Sequence, residues 1–294
     1  SPSRLTSRGP LSMTDLSGLF NAGRIAVIGA TDRDGSIGRA LMENLSEFDG
    51  EVVPINPNRE TVLGIDCYAA IGAAPDSTSL DVAVVVVPAG VVVDVVRQAG
   101  EVGVPNVVVI TAGFGERGPE GERRERELIA TAEAYDLNLI GPNCVGVIST
   151  SNGLNATFLR GTPREGSISL MSQSGAFVSA ALGWATQHGI GFNHVVSLGN
   201  EAVLDEVDLV DEWGEDPDTD VILAYIEDLD DGQRFIKTAR DVTRETPIVV
   251  IKSGRTEAGA EAAASHTGSI AGSEDAYEAG LHQAGTLRAM NIED

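Results

Sequence analysis

The strongest constraint on the fold is an unbroken apolar run, Val82-Ala83-Val84-Val85-Val86-Val87. A strand that is apolar on both faces must be covered on both faces, as in a parallel sheet flanked by helices. Similar short runs recur at 24–28, 52–55, 106–110 and 138–140. A second series follows at 167–172, 194–198, 221–226 and 248–252. Helix-like stretches fill the gaps at 36–47, 90–100, 118–135, 175–187, 204–213, 232–243 and 273–284. Strand–helix–strand alternation of this kind predicts a doubly wound α/β architecture. The 294 residues suit two domains of about 150 residues each. The stretch 149–166 reads as the least structured, which predicts domains at 13–149 and 150–294. Residues 1–12 are polar and aperiodic and read as a disordered leader or tag.

Charge and composition exclude several classes. Forty-four acidic residues against 20 basic give a formal net charge of −24. That disfavours a nucleic-acid partner, whose phosphates need Lys and Arg. The lysines are only Lys237 and Lys252. An acidic, lysine-poor surface over an ordinary apolar core reads as adaptation to high salt, with plain solubility charge as its rival. No apolar run approaches the ~18 residues of a membrane span, and no signal-peptide pattern opens the chain. Cys67 and Cys144 suggest a reduced, cytoplasmic protein without a disulfide framework.

The first strand runs into Gly29-Ala30-Thr31-Asp32-Arg33-Asp34-Gly35-Ser36-Ile37-Gly38-Arg39-Ala40. A glycine-rich turn entering a helix presents backbone N–H groups and a positive dipole end to a phosphate. The glycine spacing is neither the dinucleotide fingerprint nor the Walker pattern. The second strand ends in Ile55-Asn56-Pro57-Asn58-Arg59, so the acid that would hold the ribose of NAD is absent and a cation follows. A phosphate-bearing ligand other than NAD, with a phosphate near Arg59, fits better. A tight strand–helix connection with no ligand is the plainer alternative. Three further strand ends, at Pro88, at Ile110-Thr111-Ala112 and at Asn143-Cys144, fall along the same predicted edge.

In the second half, Ser172-Gln173-Ser174-Gly175 joins a strand to an alanine-rich helix. Ser174 suits an N-cap, with an anion site behind it. The pattern is not the Gly-x-Ser-x-Gly of a serine hydrolase. Further on, Ala264-Ser265-His266-Thr267-Gly268-Ser269-Ile270-Ala271-Gly272 sets a histidine among small residues. A neutral imidazole there is a competent nucleophile toward phosphorus. Glu227, at the end of the strand 221–226, falls on the same edge, where a carboxylate could accept the other imidazole N–H. By position alone Glu227 is one acid among 44, and an isolated histidine more often caps or hydrogen-bonds. His188, His194 and His282 take that plainer reading, and no metal site is expected.

In order, IGATDRDGSIGRA, INPN, VVPAG, ITAGFGE, GPNCVGV, MSQSGAF and SHTGSIAG resemble the nucleoside-diphosphate-forming acyl-CoA synthetase family. That family also includes the succinyl-CoA synthetase α subunit. The resemblance runs from about Leu16 to Ile292 and is nearest the ADP-forming acetate–CoA ligase branch. It implies a Rossmann-like CoA-binding domain followed by a flavodoxin-like parallel-sheet ligase domain. Gly29, Thr31, Asp32, Arg33, Asp34, Gly35, Arg59, Pro88, Ile110, Thr111, Ala112, Asn143 and Cys144 would contact CoA. Ser172, Ser174 and Gly175 would cradle phosphate, and His266, supported by Glu227, would carry a phosphoryl group. A tyrosine of the succinate branch is Ser179 here, which weighs against succinate as the acid. The implied reaction is acyl-CoA + ADP + phosphate ⇌ carboxylic acid + CoA + ATP, with CoA or acyl-CoA as substrate. No stretch resembles the ATP-grasp domain. ADP, ATP and Mg are therefore expected on a separate β subunit or fused β region, and an oligomer is expected. The rival readings are a non-catalytic CoA-binding regulator or acyltransferase scaffold, and an NAD-dependent dehydrogenase.

Overall fold

A computed structural model describes residues 15–253 and 274–291. After a single-turn helix α1 (Ser17–Phe20), the first sheet is built from β1 (Arg24–Ile28), β2 (Glu51–Ile55), β5 (Val82–Val85), β6 (Asn106–Val109) and β7 (Asn138–Ile140). All its pairings are parallel, in the order β2-β1-β5-β6-β7. The four residues of β5 are fully buried, as the double-sided apolar run requires. Helices α2 (Ile37–Asn44), α3 (Ala89–Glu101) and α4 (Pro119–Ala134) connect the strands. Pro119 at the first helical position, with Glu120 and Glu122 in the first turn, suits the start of α4. A small hairpin, β3 (Thr61–Val62) with β4 (Ile65–Asp66), follows β2.

The second sheet holds β8 (Gly146–Ser149), β9 (Leu154–Thr157), β10 (Ile168–Ser172), β11 (His194–Ser197), β12 (Val221–Ile226), β13 (Ile248–Lys252) and β14 (Leu287–Ala289). Its order is β14-β13-β12-β10-β11-β8-β9. The five strands from β10 onward are parallel, and their order repeats that of the first sheet. Each half therefore has a switch point, between β1 and β5 and between β10 and β12. Ligands of doubly wound sheets bind beyond such points. Helices α5 (Gly175–His188), α6 (Glu206–Gly214), α7 (Gly232–Val242) and α8 (Glu274–Gln283) accompany this sheet. A reciprocal box of Asp205 and Asp208 starts α6.

The stretch expected to be least structured is instead partly strand. β8 pairs antiparallel with β11, and β9 with β8. These strands carry buried polar residues, Ser149, Asn155 and Thr157, which hid their apolar pattern. Asn155 Oδ1 accepts from the Thr157 hydroxyl at 2.7 Å, so these groups are satisfied internally. β8 already belongs to the second sheet, four residues before the expected division.

The two halves share one apolar core that runs from Leu16 through Ile140 to Trp213 and Ile248. Main-chain bonds seal the junction. The N–H groups of Asn200, Ala202 and Leu204 donate to the carbonyls of Pro142, Gly141 and Leu139 at 2.9, 3.0 and 3.1 Å. The second half thereby covers the open edge of β7. Among the described residues no helix is long and apolar enough to cross a membrane.

Candidate functional site

The loop after β1 is shaped by close backbone approach. Gly29 adopts φ +100°, and a Cβ there would lie 2.8 Å from the Val86 carbonyl oxygen. At Gly38 a Cβ would come within 2.4 Å of the Gly29 carbonyl, so only glycine lets α2 pack onto the loop. Ser36 caps α2, its hydroxyl accepting from the Arg39 N–H. Arg39, in α2, is spent on Glu43 of the same helix at 2.6 Å and on the loop through Asp34 at 2.5 Å and the Asp32 carbonyl at 2.8 Å. Arg59 reaches across from the end of β2 to Asp32, Nη1 to Oδ1 2.7 Å. Asn56 reinforces the link by donating to the Ala30 carbonyl at 2.8 Å. Arg33 and Gly35 are exposed, and Thr31 is half-buried with its hydroxyl accepting from the Arg33 N–H. Loops 29–36 and 55–59 thus form one basic-bordered rim.

The other expected contacts lie along the same edge. Pro88 starts α3, and the Thr111 hydroxyl donates to the Val87 carbonyl at 2.7 Å. Ala112 is exposed. Ile110 and Cys144 are each only 5% exposed, so neither side chain is open to a ligand. Cys144 Sγ contacts the Val109 carbonyl at 3.3 Å, and burial pushes its thiol up to about 12. Asn143 donates to Asn200 Oδ1 at 3.1 Å, and Asn200 in turn donates to Glu116 and Glu125, at 2.8 Å each.

In the second half, the Ser172 hydroxyl is buried and used twice within its own turn. It donates to the Ser174 carbonyl at 2.9 Å and accepts from the Ser174 N–H at 3.0 Å. Ser172 therefore shapes the cradle, while Ser174 Oγ caps α5 through the Phe177 N–H. The N–H groups of Gly175 and Ala176 have no intrahelical acceptor and sit at the positive end of the helix dipole. This cradle adjoins the first half: a Cβ at Gly175 would come within 2.6 Å of Val145 Cγ2. The Val145 N–H donates to Ser197 Oγ at 3.0 Å. Loop 141–145 is thus shared by both sheet edges.

Glu227 is half-buried at the tip of β12, on the same edge. His266, with the whole of SHTGSIAG, lies outside the described residues. At the second switch point stands a residue that the sequence reading passed over, Gln173. Its Oε1 accepts from the Glu227 and Asp228 N–H groups at 2.5 and 3.0 Å. Its Nε2 donates to both Glu201 carboxylate oxygens, at 3.0 and 3.1 Å, and to the Asp228 carbonyl at 2.8 Å. Lys252, 7% exposed, donates to the carbonyls of Glu227 at 2.7 Å and Ser253 at 2.9 Å and lies 4.5 Å over the Tyr277 ring. The Tyr277 hydroxyl donates to Asp228, and burial with that contact raises its phenol. Behind Glu201, the buried Glu206 carboxyl is pushed up to about 8 by burial and by the Asp205 charge. The signal for Gln173 was its place between Ser172 and Ser174 at a strand tip. Nothing in the sequence revealed which loops it would join.

His188 stacks on Trp184, and His194 lies beside Asp216 at 3.3 Å. Both cysteines are free, and no metal-binding cluster occurs among the described residues.

Residues 23–150 match the family model of a CoA binding domain, and residues 165–294 that of a succinyl-CoA ligase like flavodoxin domain. The chain is also 46% identical over 276 residues to the ADP-forming acetate–CoA ligase I of Archaeoglobus fulgidus. The chain belongs to the nucleoside-diphosphate-forming acyl-CoA synthetase family. The Archaeoglobus match covers 94% of this chain and 40% of the relative. Another family member, the α subunit of Pyrococcus furiosus ADP-forming acetate–CoA ligase I, is 43% identical, with 94% and 61% covered. A solved acetyl-coenzyme A synthetase 1 of Ca. Korarchaeum cryptofilum, in complex with phosphate and ADP, superposes with a TM-score of 0.91 at 43% identity. That match covers 95% of this chain and 60% of the solved one. The chain thus spans only part of the length of its synthetase relatives.

Proposed function

We propose that this chain is the CoA-binding and phosphohistidine-carrying part of an ADP-forming acyl-CoA synthetase, with acetyl-CoA as the favoured thioester. We divide the chain into a CoA-binding unit, 13–149, and a ligase unit, 150–294, the sheet of the second unit taking in β8 from the end of the first. The observation that carries this reading is the sharing of loop 141–145 between two phosphate-friendly edges, with the α5 start packed on Val145. An acyl group held at the first edge thereby meets the cradle of the second.

In the first step a phosphate oxygen attacks the thioester carbonyl. The C–S bond breaks, CoA leaves as its thiol, and an acyl phosphate forms. A neutral His266 nitrogen then attacks phosphorus. The P–O bond to the acyl group breaks, the carboxylate leaves, and the other ring N–H is held by Glu227. The α5 N-terminus offsets charge on the moving phosphoryl group. ADP takes that group from the histidine and regenerates the neutral ring. ADP and Mg bind an ATP-grasp region, on a β subunit or in the same polypeptide. Splitting the transfer lets one carrier serve separated sites. We also read the protein as an oligomer of the cytoplasm, and its 44 acids as a surface suited to concentrated salt.

The test is mass spectrometry of the complete enzyme after incubation with acetyl-CoA and phosphate. An acid-labile gain of about 80 Da, one phosphoryl group on histidine, is expected. A gain that survives His266→Ala would move the chemistry elsewhere.

A further inference from the structure

Glu227 is gripped through its backbone from two directions. Gln173 Oε1 takes its N–H and that of Asp228, while Lys252 Nζ takes its carbonyl. The partners come from different strand tips, β10 for Gln173 and β13 for Lys252. Gln173 is itself anchored by the Glu201 carboxylate from the loop after β11. Three adjacent strand ends and the intervening loop are thereby locked around one peptide unit. A glutamine suits this post because its amide is acceptor and donor at once. Its acceptor faces two N–H groups, and its donor faces a carboxylate and a carbonyl. Neither Glu nor Leu could satisfy both sides.

We propose that Gln173 is a positioning residue for phosphoryl transfer, with Lys252 as its counterpart, holding the Glu227 peptide and so setting where its carboxylate stands at the tip of β12. This rests on the reading of Glu227 given above. Side chains that act through another residue matter because small displacements of a reacting geometry cost large factors in rate. The role ascribed to Gln173 involves no contact with substrate. Removing it should therefore be costly only while the Glu227 carboxylate is present.

The test is a double-mutant cycle on the complete enzyme, reading the initial rate of histidine phosphorylation from acetyl-CoA and phosphate, with thermal midpoints recorded alongside. Gln173→Met is expected to lower the rate about tenfold in the wild-type background and less than about twofold when Glu227→Gln is already present. The midpoint should fall equally in both backgrounds, which separates positioning from simple loss of stability. An equal rate loss in both backgrounds, or a wild-type rate for Gln173→Met, would overturn the proposal. If Gln173→Met fails to fold, Lys252→Gln enters the same cycle with the same expectation. A wild-type rate for Glu227→Gln alone would remove Glu227 from the reaction, and Gln173 with it. The proposed function would then still stand or fall separately, on His266→Ala.

Discussion

Arg59 Nη1 stands 2.7 Å from Asp32 Oδ1, tying the second strand end to the glycine-rich loop. Both side chains are more than a third exposed, so the pair contributes little to stability, about 0–1 kcal/mol. On the proposed reading of Arg59 as a CoA contact, the pair serves to aim the guanidinium along the rim. Arg59→Ala should weaken CoA binding about tenfold or more, the effect of losing a hydrogen bond to a charged group. Asp32→Asn, which releases the guanidinium, should bind CoA at least as tightly as the wild type. Calorimetry with CoA measures both, and an Arg59→Ala variant of unchanged affinity would contradict this role.

Gly38 should tolerate no side chain. Alanine there would push α2 off the Gly29 carbonyl, 2.4 Å from the new methyl. A loss of about 1–3 kcal/mol in urea unfolding is expected, as for other overpacked sites, together with weaker CoA binding. Wild-type stability would show that the loop yields without strain.

Alkaline pH should destabilise the protein through Glu206. Its carboxyl titrates near 4.5 in the unfolded chain and is pushed up to about 8 when folded. The neutral form is the favoured one when buried. Its contribution is complete below the unfolded value and disappears as pH rises through the folded one. Thermal melts should therefore fall between about pH 4.5 and pH 8. Glu206→Gln should flatten that decline and exceed the wild type at the upper end. A parallel decline in both proteins would assign it to other groups.

Cys144 should be inert to alkylation. Its thiol, pushed up to about 12, carries almost no thiolate near neutrality, and its sulfur is buried against Val109. Iodoacetamide should reach half-buried Cys67 first and Cys144 only after denaturation, as read by peptide mapping. Rapid native labelling of Cys144 would mean that loop 141–145 opens.

The parts of the fold legible in the sequence were those with an unambiguous period. The double-sided run at β5 announced a buried parallel strand, and each half's glycine- or serine-rich turn marked a strand tip. β9 was hidden because Asn155 and Thr157 bond to each other inside the core, which no apolar pattern can signal. In the site, Asp32, Arg59 and Glu227 were reachable from motif and edge position. Cys144 and Ile110 lie at the expected strand ends, but burial of their side chains depends on neighbours distant in sequence. Gln173 stood at a recognisable strand tip, but its partners were hidden for the same reason. Its partners, Glu201, Glu227 and Asp228, lie 28 to 55 residues away.

The common core has a practical outcome for anyone who would dissect this polypeptide. Cutting it near residue 149 would bare aliphatic side chains on both fragments and strip β7 of the strand-like cover supplied by residues 200–204. Neither piece should survive alone as a well-behaved monomer, and the intact protein should melt in a single calorimetric peak.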